Sequence, residues 1–324
     1  MGNRNKSCLI VGAGMAGLVA ARSLAGAGWE VVMLDEGRGV GGRMATRRIG
    51  GAVCDHGAQF FTVRDERFGR MVGEWVGAGV AREWCRGFGS GDGYPRYCGA
   101  GGMTTIARHL ARGLDVRTAE RVVSADARDG GWVVRVEGGA AVEGAALILT
   151  PPVPQSLALL DAGGFALGGE LRLALAAIEY DPCLAVMAVL DGPSRVPPPG
   201  GVKLAGEPLD WIGDNTQKGI SPAAPAVTIH AGPQFSRAHW ETESAEVARL
   251  LLAAAAPWIG AAARETQVHR WRYSQPIVTR PEPCLVAPGP PPLVCAGDAF
   301  GGPRVEGAAL SGLAAADAVK QIRP

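Results

Sequence analysis

Net charge is nearly missing from this chain. Its 324 residues carry 32 Lys plus Arg against 31 Asp plus Glu, a formal charge of +1 at pH 7. Without a basic excess there is no electrostatic footprint for nucleic acid or an anionic membrane surface, and neither is expected as a partner. Apolar runs of membrane length are missing too. The longest uncharged stretches, near 144–160 and 250–263, are interrupted by Pro151, Pro152, Pro154 and Pro257. Cysteine pairs at metal or redox spacing are lacking: the seven cysteines (8, 54, 85, 98, 183, 284 and 295) are scattered, odd in number and include no CxxC. That pattern fits reduced thiols in a cytoplasm better than a disulfide framework or a zinc site. There is no GxSxG, no HExxH, no Walker A sequence and no internal repeat. What is present is 47% hydrophobic and 19% charged. Such a chain buries a sizeable core, and its length allows one large domain or two ordinary ones.

Glycine is plentiful, with 48 residues, and it clusters in turns. Arg4 and Lys6 precede an uncharged run from Ser7 to Ala21 that loosely imitates a secretory signal, but the glycines in that run have a better explanation. Cys8 to Val11 reads as a buried strand, GAGMAG follows from Gly12 to Gly17, a helix continues to about Ala25, and a second strand, Glu30 to Leu34, ends at Asp35. This is the dinucleotide-binding order of strand, glycine-rich turn, helix, strand and acid. Gly12 permits the tight turn, Gly14 lets the backbone approach a pyrophosphate, and Gly17 lets helix and strand pack. Ala13, Met15 and Ala16 bring their backbone N–H groups to the phosphates at the helix N-terminus. Asp35, 18 residues after Gly17, is placed to accept hydrogen bonds from a ribose diol, with Glu36 beside it. A carboxylate there repels a 2′-phosphate.

The turn leaves NAD and FAD open, and the following residues discriminate. Gly41-Gly42-Arg43-Met44 resembles the second signature of flavoproteins in the amine oxidase superfamily, in which this turn lies beside the FAD pyrophosphate. Asp55-His56-Gly57-Ala58-Gln59-Phe60-Phe61 resembles the segment that passes the isoalloxazine in that superfamily. Taken with GGRMATRR and with His269-Arg270-Trp271-Arg272-Tyr273-Ser274-Gln275, the whole chain is similar to the bacterial renalases. The third flavin signature is the strand Leu293 to Ala296 followed by Gly297-Asp298 and a helix from about Glu306 to Val319. The resemblance puts Gly297, Asp298, Val305, Glu306, Gly307 and Ala308 at the flavin, where a helix N-terminus stabilises the charge of the reduced ring.

If both chain ends hold one FAD, the cofactor domain is discontinuous. The expected fold is α/β: a Rossmann-type FAD-binding domain from 1–74, 99–162 and 282–324, with an inserted mixed-sheet α+β substrate domain from 75–98 and 163–281. Arg121 to Ala127 and Trp132 to Glu137 should form a hairpin around Asp129-Gly130-Gly131, with Val123 among the cofactor contacts. Ala146 to Thr150 reads as a buried strand. Strands are expected at Leu184–Leu190, Val202–Leu204, Leu209–Gly213, Val227–Ala231 and Val268–Tyr273. A helix is expected from Ser244 to Ala256, ended before Pro257.

The renalase resemblance implies a reaction. The family oxidises isomers of NAD(P)H reduced at C2 or C6 of the nicotinamide, passing hydride to flavin N5 and then to dioxygen, and gives NAD(P)+ and hydrogen peroxide. It implies non-covalent FAD, since no covalent attachment signature is seen. It also implies that Asn215 and His230 lie over the flavin near the carboxamide, with Gln59, Trp271 and Tyr273 beside the ring. From residue type alone, His230 reads as a core histidine and Asn215 as a turn residue. His56, His109, His239 and Cys54 carry no argument beyond their locations. Two alternatives stay open: an amine oxidase on the same scaffold, disfavoured by an aromatic content of only 6%, and a catalytically silent FAD-binding protein.

Overall fold

The computed structural model describes residues 6–89, 92–204 and 206–321, so Arg4, Asn5 and the last three residues lie outside it. The chain divides into two compact units. The first comprises Met1–Gly42, Ala107–Glu179 and Pro276–Pro324, the second Arg43–Ile106 and Tyr180–Gln275.

In the first unit Cys8–Val11 are all buried, as befits a central parallel strand covered on both faces. Ser7–Val11 pairs in parallel with Glu30–Asp35 on one side and Ala146–Leu149 on the other, Ile10 lying opposite Met33 and Ile148. Asp115–Thr118 extends the sheet beyond Glu30–Asp35, and Leu293–Cys295 extends it beyond Ala146–Leu149. Leu285–Ala287 closes that edge antiparallel, so the six-stranded sheet is mixed. Helix Met15–Gly26 packs against helix Val305–Gln321. The approach is so close that a Cβ on Gly312 would lie 2.2 Å from the carbonyl oxygen of Ala16. Val122–Arg128, Gly131–Val136 and Ala141–Gly144 form a separate antiparallel sheet, with a bulge between Val122 and Ser124 that leaves Val123 exposed.

The second unit is built on a five-stranded sheet in the order Gly201–Lys203, Leu209–Asp214, Ala226–Ala231, Tyr180–Leu190, Ala263–Pro276. Strand alternation gives it two different faces. Leu184, Val186, Ile212, Val227 and Ile229 bury against Val247, Ala248 and Leu251 of the helix Ser244–Ala254. The opposite face carries the row Trp211, His230 and Ala185, and beside it the row Gly213, Thr228 and Met187. That face receives the hairpin Thr46–Ile49 and Ala52–Asp55, whose Ile49, Ala52 and Cys54 pack on Met187 and Val189.

Two expectations need revision. The helix Ser244–Ala254 stops sooner than predicted, and Pro257 does not terminate it. A second short helix, Ala256–Ile259, starts there with the proline in its first turn, where a missing N–H costs nothing. The division of the chain also differs: 43–74 and 99–106 group with the second unit, and 163–179 with 276–281 join the first. Hydrogen bonding within the second unit accounts for the former, because Asp55 is fixed to Thr46, Met103 and Lys218.

Candidate active site

In the first unit the glycine-rich turn is shaped by contacts that exclude side chains. Gly12 has φ +99°, and a Cβ there would meet the Thr150 hydroxyl at 2.4 Å. That hydroxyl donates to the carbonyl of Val11 at 2.8 Å. A Cβ on Gly17 would lie 2.1 Å from the Gly12 carbonyl oxygen, so the helix can start only if residue 17 is bare. Gly14 is the N-cap, with no side-chain cap, no acidic residue in the first turn and open space where its Cβ would project. Its neighbours Met15, Ala16 and Gly17 therefore begin a helix whose first N–H groups have no capping side chain. Gly41 N–H donates to the carbonyl of Ala13 at 2.8 Å, bringing the second glycine pair onto the turn. The Asp35 carboxylate accepts from the N–H of Ala13 at 2.6 Å and of Gly37 at 2.7 Å. Burial pushes its carboxyl up from the usual range, against these two hydrogen bonds. At the other end of the unit, Gly297 (φ +141°) donates to Ser311 at 2.9 Å, and the helix Val305–Gln321 follows with Glu306 and Gly307 buried and Val305, Ala308 and Asp298 half-buried.

In the second unit the segment Asp55–Phe60 is held by an interlocked polar network. The Asp55 carboxylate accepts from the Thr46 hydroxyl, from Met103 N–H at 2.8 Å and from Lys218 Nζ at 2.6 Å, with Asp55 and Lys218 both buried. Lys218 Nζ also donates to the carbonyl of Gln59, so one ammonium ties both ends of the segment. Gln59 Nε2 donates to the carbonyls of Asp55 at 2.7 Å and Gly57 at 3.0 Å. Thr228 donates to the Asp55 carbonyl at 2.8 Å, and His230 Nε2 meets that of His56 at 3.2 Å. Trp271 Nε1 donates to the same His56 carbonyl at 2.8 Å. Ala58 N–H donates to the Arg43 carbonyl at 2.8 Å, and Gly57 must be bare because a Cβ would lie 2.0 Å from that oxygen. Arg43 Nη1 reaches the carbonyls of Tyr273 and Ser274 at 3.3 and 3.2 Å. Met44 is buried, and its carbonyl accepts from Thr104.

Residues 10–75 match the NAD(P)-binding Rossmann-like domain, and residues 73–320 match the flavin containing amine oxidoreductase family. The chain belongs to that flavin amine oxidoreductase family. It is 24% identical to mouse (Mus musculus) renalase over 97% of this chain and 98% of that protein. Its fold is similar to that of a candidate protoporphyrinogen oxidase from Exiguobacterium sp. (TM-score 0.73, 13% identity, 97% and 98% coverage). It is also similar to putrescine oxidase bound to putrescine (TM-score 0.68, 17% identity, 98% and 99% coverage).

The cradle in the first unit suits the diphosphate of a flavin dinucleotide: bare Gly14, uncapped helix N–H groups and a carboxylate at the end of the second strand. On the second unit, the flavin oxidoreductase carries two side-chain clusters. One is His56, His269 and Trp271, with His56 stacked on Trp271 at 5.3 Å and His269 edge-on to both. Burial lowers the His56 pKa to about 3, assisted by His269, Arg47 and His230. Burial likewise takes His230 to about 4, opposed by its bond to the His56 carbonyl, and takes His269 to about 4 with help from Arg47. All three imidazoles are neutral at pH 7. Because His230 Nε2 faces a carbonyl, it carries the proton, and Nδ1 is left as an acceptor. The other cluster is Phe60, Trp84, Phe88 and Trp211, in which each ring contacts the other three at 4.9–6.4 Å. Lys218 lies 5.1 Å over Trp84, and Arg96 lies 5.8 Å over Phe60.

Of the predicted residues, Gln59, Phe60, His230 and Trp271 come together around one backbone segment, while Tyr273 packs edge-on against Tyr180. Asn215 is placed within the Asp55 network. It is fully buried, its Oδ1 accepts from Asp55 N–H at 3.2 Å, and its Nδ2 donates to Thr228 at 3.0 Å. The amide shapes the Asp55 segment and has no exposed edge for a substrate. The Gln59 side chain is buried, and its Oε1 has no hydrogen-bond partner among the described residues. Lys218, Trp211, Trp84 and Phe88 were missed. Lys218 stands in the polar run Asp214–Gly219 between two apolar strands, and sequence alone does not say that its ammonium is buried.

Proposed function

We propose that the protein is a renalase-type oxidase holding non-covalent FAD and oxidising C2- or C6-reduced isomers of NAD(P)H. The FAD would be held by Gly12–Gly17 and Asp35, by the Gly41–Arg43 turn and by the helix start at Val305–Ala308. When bound, the flavin supplies the hydride acceptor and passes two electrons to dioxygen, so dihydronicotinamide, dioxygen and a proton give NAD(P)+ and hydrogen peroxide. The chain's own task is orientation. A dihydropyridine becomes aromatic on losing hydride, so no general base is needed, and His56, His230 and His269 are held neutral. His230, Gln59 and Trp271 present polar and flat groups to the nicotinamide, and Asn215 positions the segment they share.

The observation that carries this reading over amine oxidation is the charge around the aromatic cluster. Lys218 and Arg96 already occupy faces of Trp84 and Phe60. Those two faces are taken by cations whose charges Asp55 and Asp92 match, so the cluster offers no open cation–π cage to an ammonium guest and leaves flat apolar ring surface for a neutral ring. The seven free cysteines fit the cytoplasmic location we infer.

Anaerobic mixing of the yellow protein with each purified dihydronicotinamide isomer, with ordinary NADH and with simple monoamines tests the proposal. Rapid bleaching by the C2- or C6-reduced isomers is expected. Ordinary NADH should be slower by on the order of a hundredfold, since the hydride on C4 is misplaced by about 1 Å or more. Equal bleaching by ordinary NADH, or faster bleaching by a monoamine, would overturn it.

The histidines also fix a pH response. Their pKa values lie below the unfolded value near 6.5, so the unfolded chain binds more protons between about pH 4 and 6.5. Stability contributed by these groups is present above pH 6.5 and falls as the pH drops through that window. The limiting rate of flavin reduction should stay flat from pH 6 to 8. Urea midpoints and stopped-flow traces across pH 4.5–8 check both, and a single ionisation near 6.5 in the limiting rate that disappears in His230→Ala would make His230 a general base.

A further inference from the structure

The segment GGRMATRR carries an arginine that the cofactor cradle leaves without a role. Arg47 lies in the strand Thr46–Ile49, opposite Cys54. Among the described residues its guanidinium makes one hydrogen bond, from Nη1 to Gln267 Oε1 at 3.5 Å, and no ion pair. Its charge reaches the ring cluster, where it helps to lower the pKa of His56 and of His269. Arg47 and Gln267 open onto a pocket of about 360 Å³ whose other walls are Ser244, Ala245, Thr266 and Val268. All six residues belong to the second unit, and none is acidic. The polar side chains have donors to spare. Gln267 spends its Oε1 on Arg47, which leaves both protons of Nε2. Ser244 Oγ accepts from Arg270 Nη1 at 2.9 Å, so its own proton is available. Arg270 is otherwise held by the carbonyls of Trp240 and Thr242, and thus brings a second positive charge behind Ser244. Of the carboxylates next to these positions in sequence, Glu246 pairs with Arg249, Glu265 lies against Gly50, and the Glu243 side chain makes no cap.

We propose that this pocket binds a phosphate group, with Arg47 supplying the charge and Ser244, Thr266 and Gln267 supplying hydrogen bonds. A guanidinium beside three neutral donors suits a dianion that offers oxygens in several directions. A carboxylate presents two oxygens in one plane and uses fewer of the donors. An ammonium meets like charge from Arg47. Small-molecule sites run from roughly 300 to 1,000 Å³, so this pocket has room for a phosphate and part of the small body that carries it. Ala245 and Val268 give that body an apolar wall. Gln267, His269 and Trp271 alternate onto one side of the strand Ala263–Pro276, about 7 Å of strand separating Gln267 from His269. The site stands on its own residues and does not depend on the reaction proposed above. A phosphate on the oxidised substrate and a separate phosphorylated molecule offer it the same chemistry.

The test is calorimetric titration of the FAD-loaded protein with inorganic phosphate, at constant ionic strength set by chloride. Wild-type protein should bind phosphate saturably, and acetate more weakly by at least about tenfold. Arg47→Gln keeps hydrogen-bonding capacity but removes the charge, and should cost about ten- to a hundredfold in phosphate affinity. Thr266→Val keeps the shape of a strand residue and removes one hydroxyl, for a loss of about two- to tenfold. Both variants are measured in the fraction that retains FAD. No saturable phosphate binding by the wild type, or wild-type affinity in both variants, overturns the proposal. Flavin reduction by a dihydronicotinamide isomer in the presence of phosphate then identifies the source. Phosphate that competes with the isomer puts the substrate's own phosphate in the pocket, and phosphate that binds without competing assigns the pocket to a separate phosphorylated molecule. If no isomer reduces the flavin, the calorimetric result stands and only the functional reading falls.

Discussion

Lys218→Met is expected to destabilise the protein by about 3–5 kcal/mol, the usual consequence of removing one partner from a buried ion pair. Lys218 is 1% exposed, Asp55 is fully buried, and the ammonium also holds the Gln59 carbonyl. Without it the Asp55 charge keeps, among the described residues, the Thr46 hydroxyl and the Met103 N–H. The methionine stem replaces the packing over Trp84 but supplies no charge. The double variant Lys218→Met with Asp55→Asn should recover at least half of the loss, because the uncompensated carboxylate is gone. Urea midpoints for the wild type, both single variants and the double variant measure the coupling. A single variant within about 0.5 kcal/mol of wild type, or a double variant as unstable as the sum of its parts, would show that the pair is not the fastener described above.

Asp35→Ala should weaken FAD binding by roughly 1.5–3 kcal/mol, the value of hydrogen bonds to a charged group, or about ten- to a hundredfold in Kd. The carboxylate has two jobs, since it also fixes Ala13 N–H and Gly37 N–H. Asp35→Asn separates them. It removes the charge and keeps one acceptor, so its affinity should fall between those of wild type and Asp35→Ala. Flavin reduction in the fraction that retains FAD should proceed at the wild-type rate. Titration of apoprotein with FAD gives the affinities, and unchanged binding in Asp35→Ala would remove this residue from the cofactor site.

The elements around the glycine-rich turn were legible because their requirements are local. A buried strand, a bare position 14, a helix that needs residue 17 to be bare and an acid after the next strand all lie within the first 35 residues. In the second unit the apolar strands around Leu184–Leu190, Leu209–Gly213 and Val227–Ala231 were also readable, whereas the short, more polar Thr46–Ile49 and Ala52–Asp55 were not. The terminus of the helix at Ala254 was misplaced because proline in a first turn reads the same as proline after a last one. What could not be read was partnership across distance. Asn215 meets Asp55 from 160 residues away, and Lys218 from 163. Neither shares a local pattern with its partner. The aromatic cluster was hidden for a related reason. A low overall aromatic content says nothing about four rings from 60, 84, 88 and 211 meeting in one place.

The order of strands in the first sheet has a consequence for how the chain acquires its structure as it is made. Ser7–Val11, the earliest strand, lies between Glu30–Asp35 and Ala146–Leu149, and Ala146–Leu149 in turn waits for Leu293–Cys295. The helix Met15–Gly26 finds its neighbour only when Val305–Gln321 has been synthesised. Elongation proceeds at about 5–20 residues per second, so the first strand has one edge open for several seconds or longer. Throughout that interval its apolar surface, from Cys8 to Val11, is exposed to whatever else is present. A nascent chain of this topology therefore depends on being shielded until its last turns emerge, and a premature stop just before Val305 leaves the sheet complete but the helix Met15–Gly26 without its neighbour.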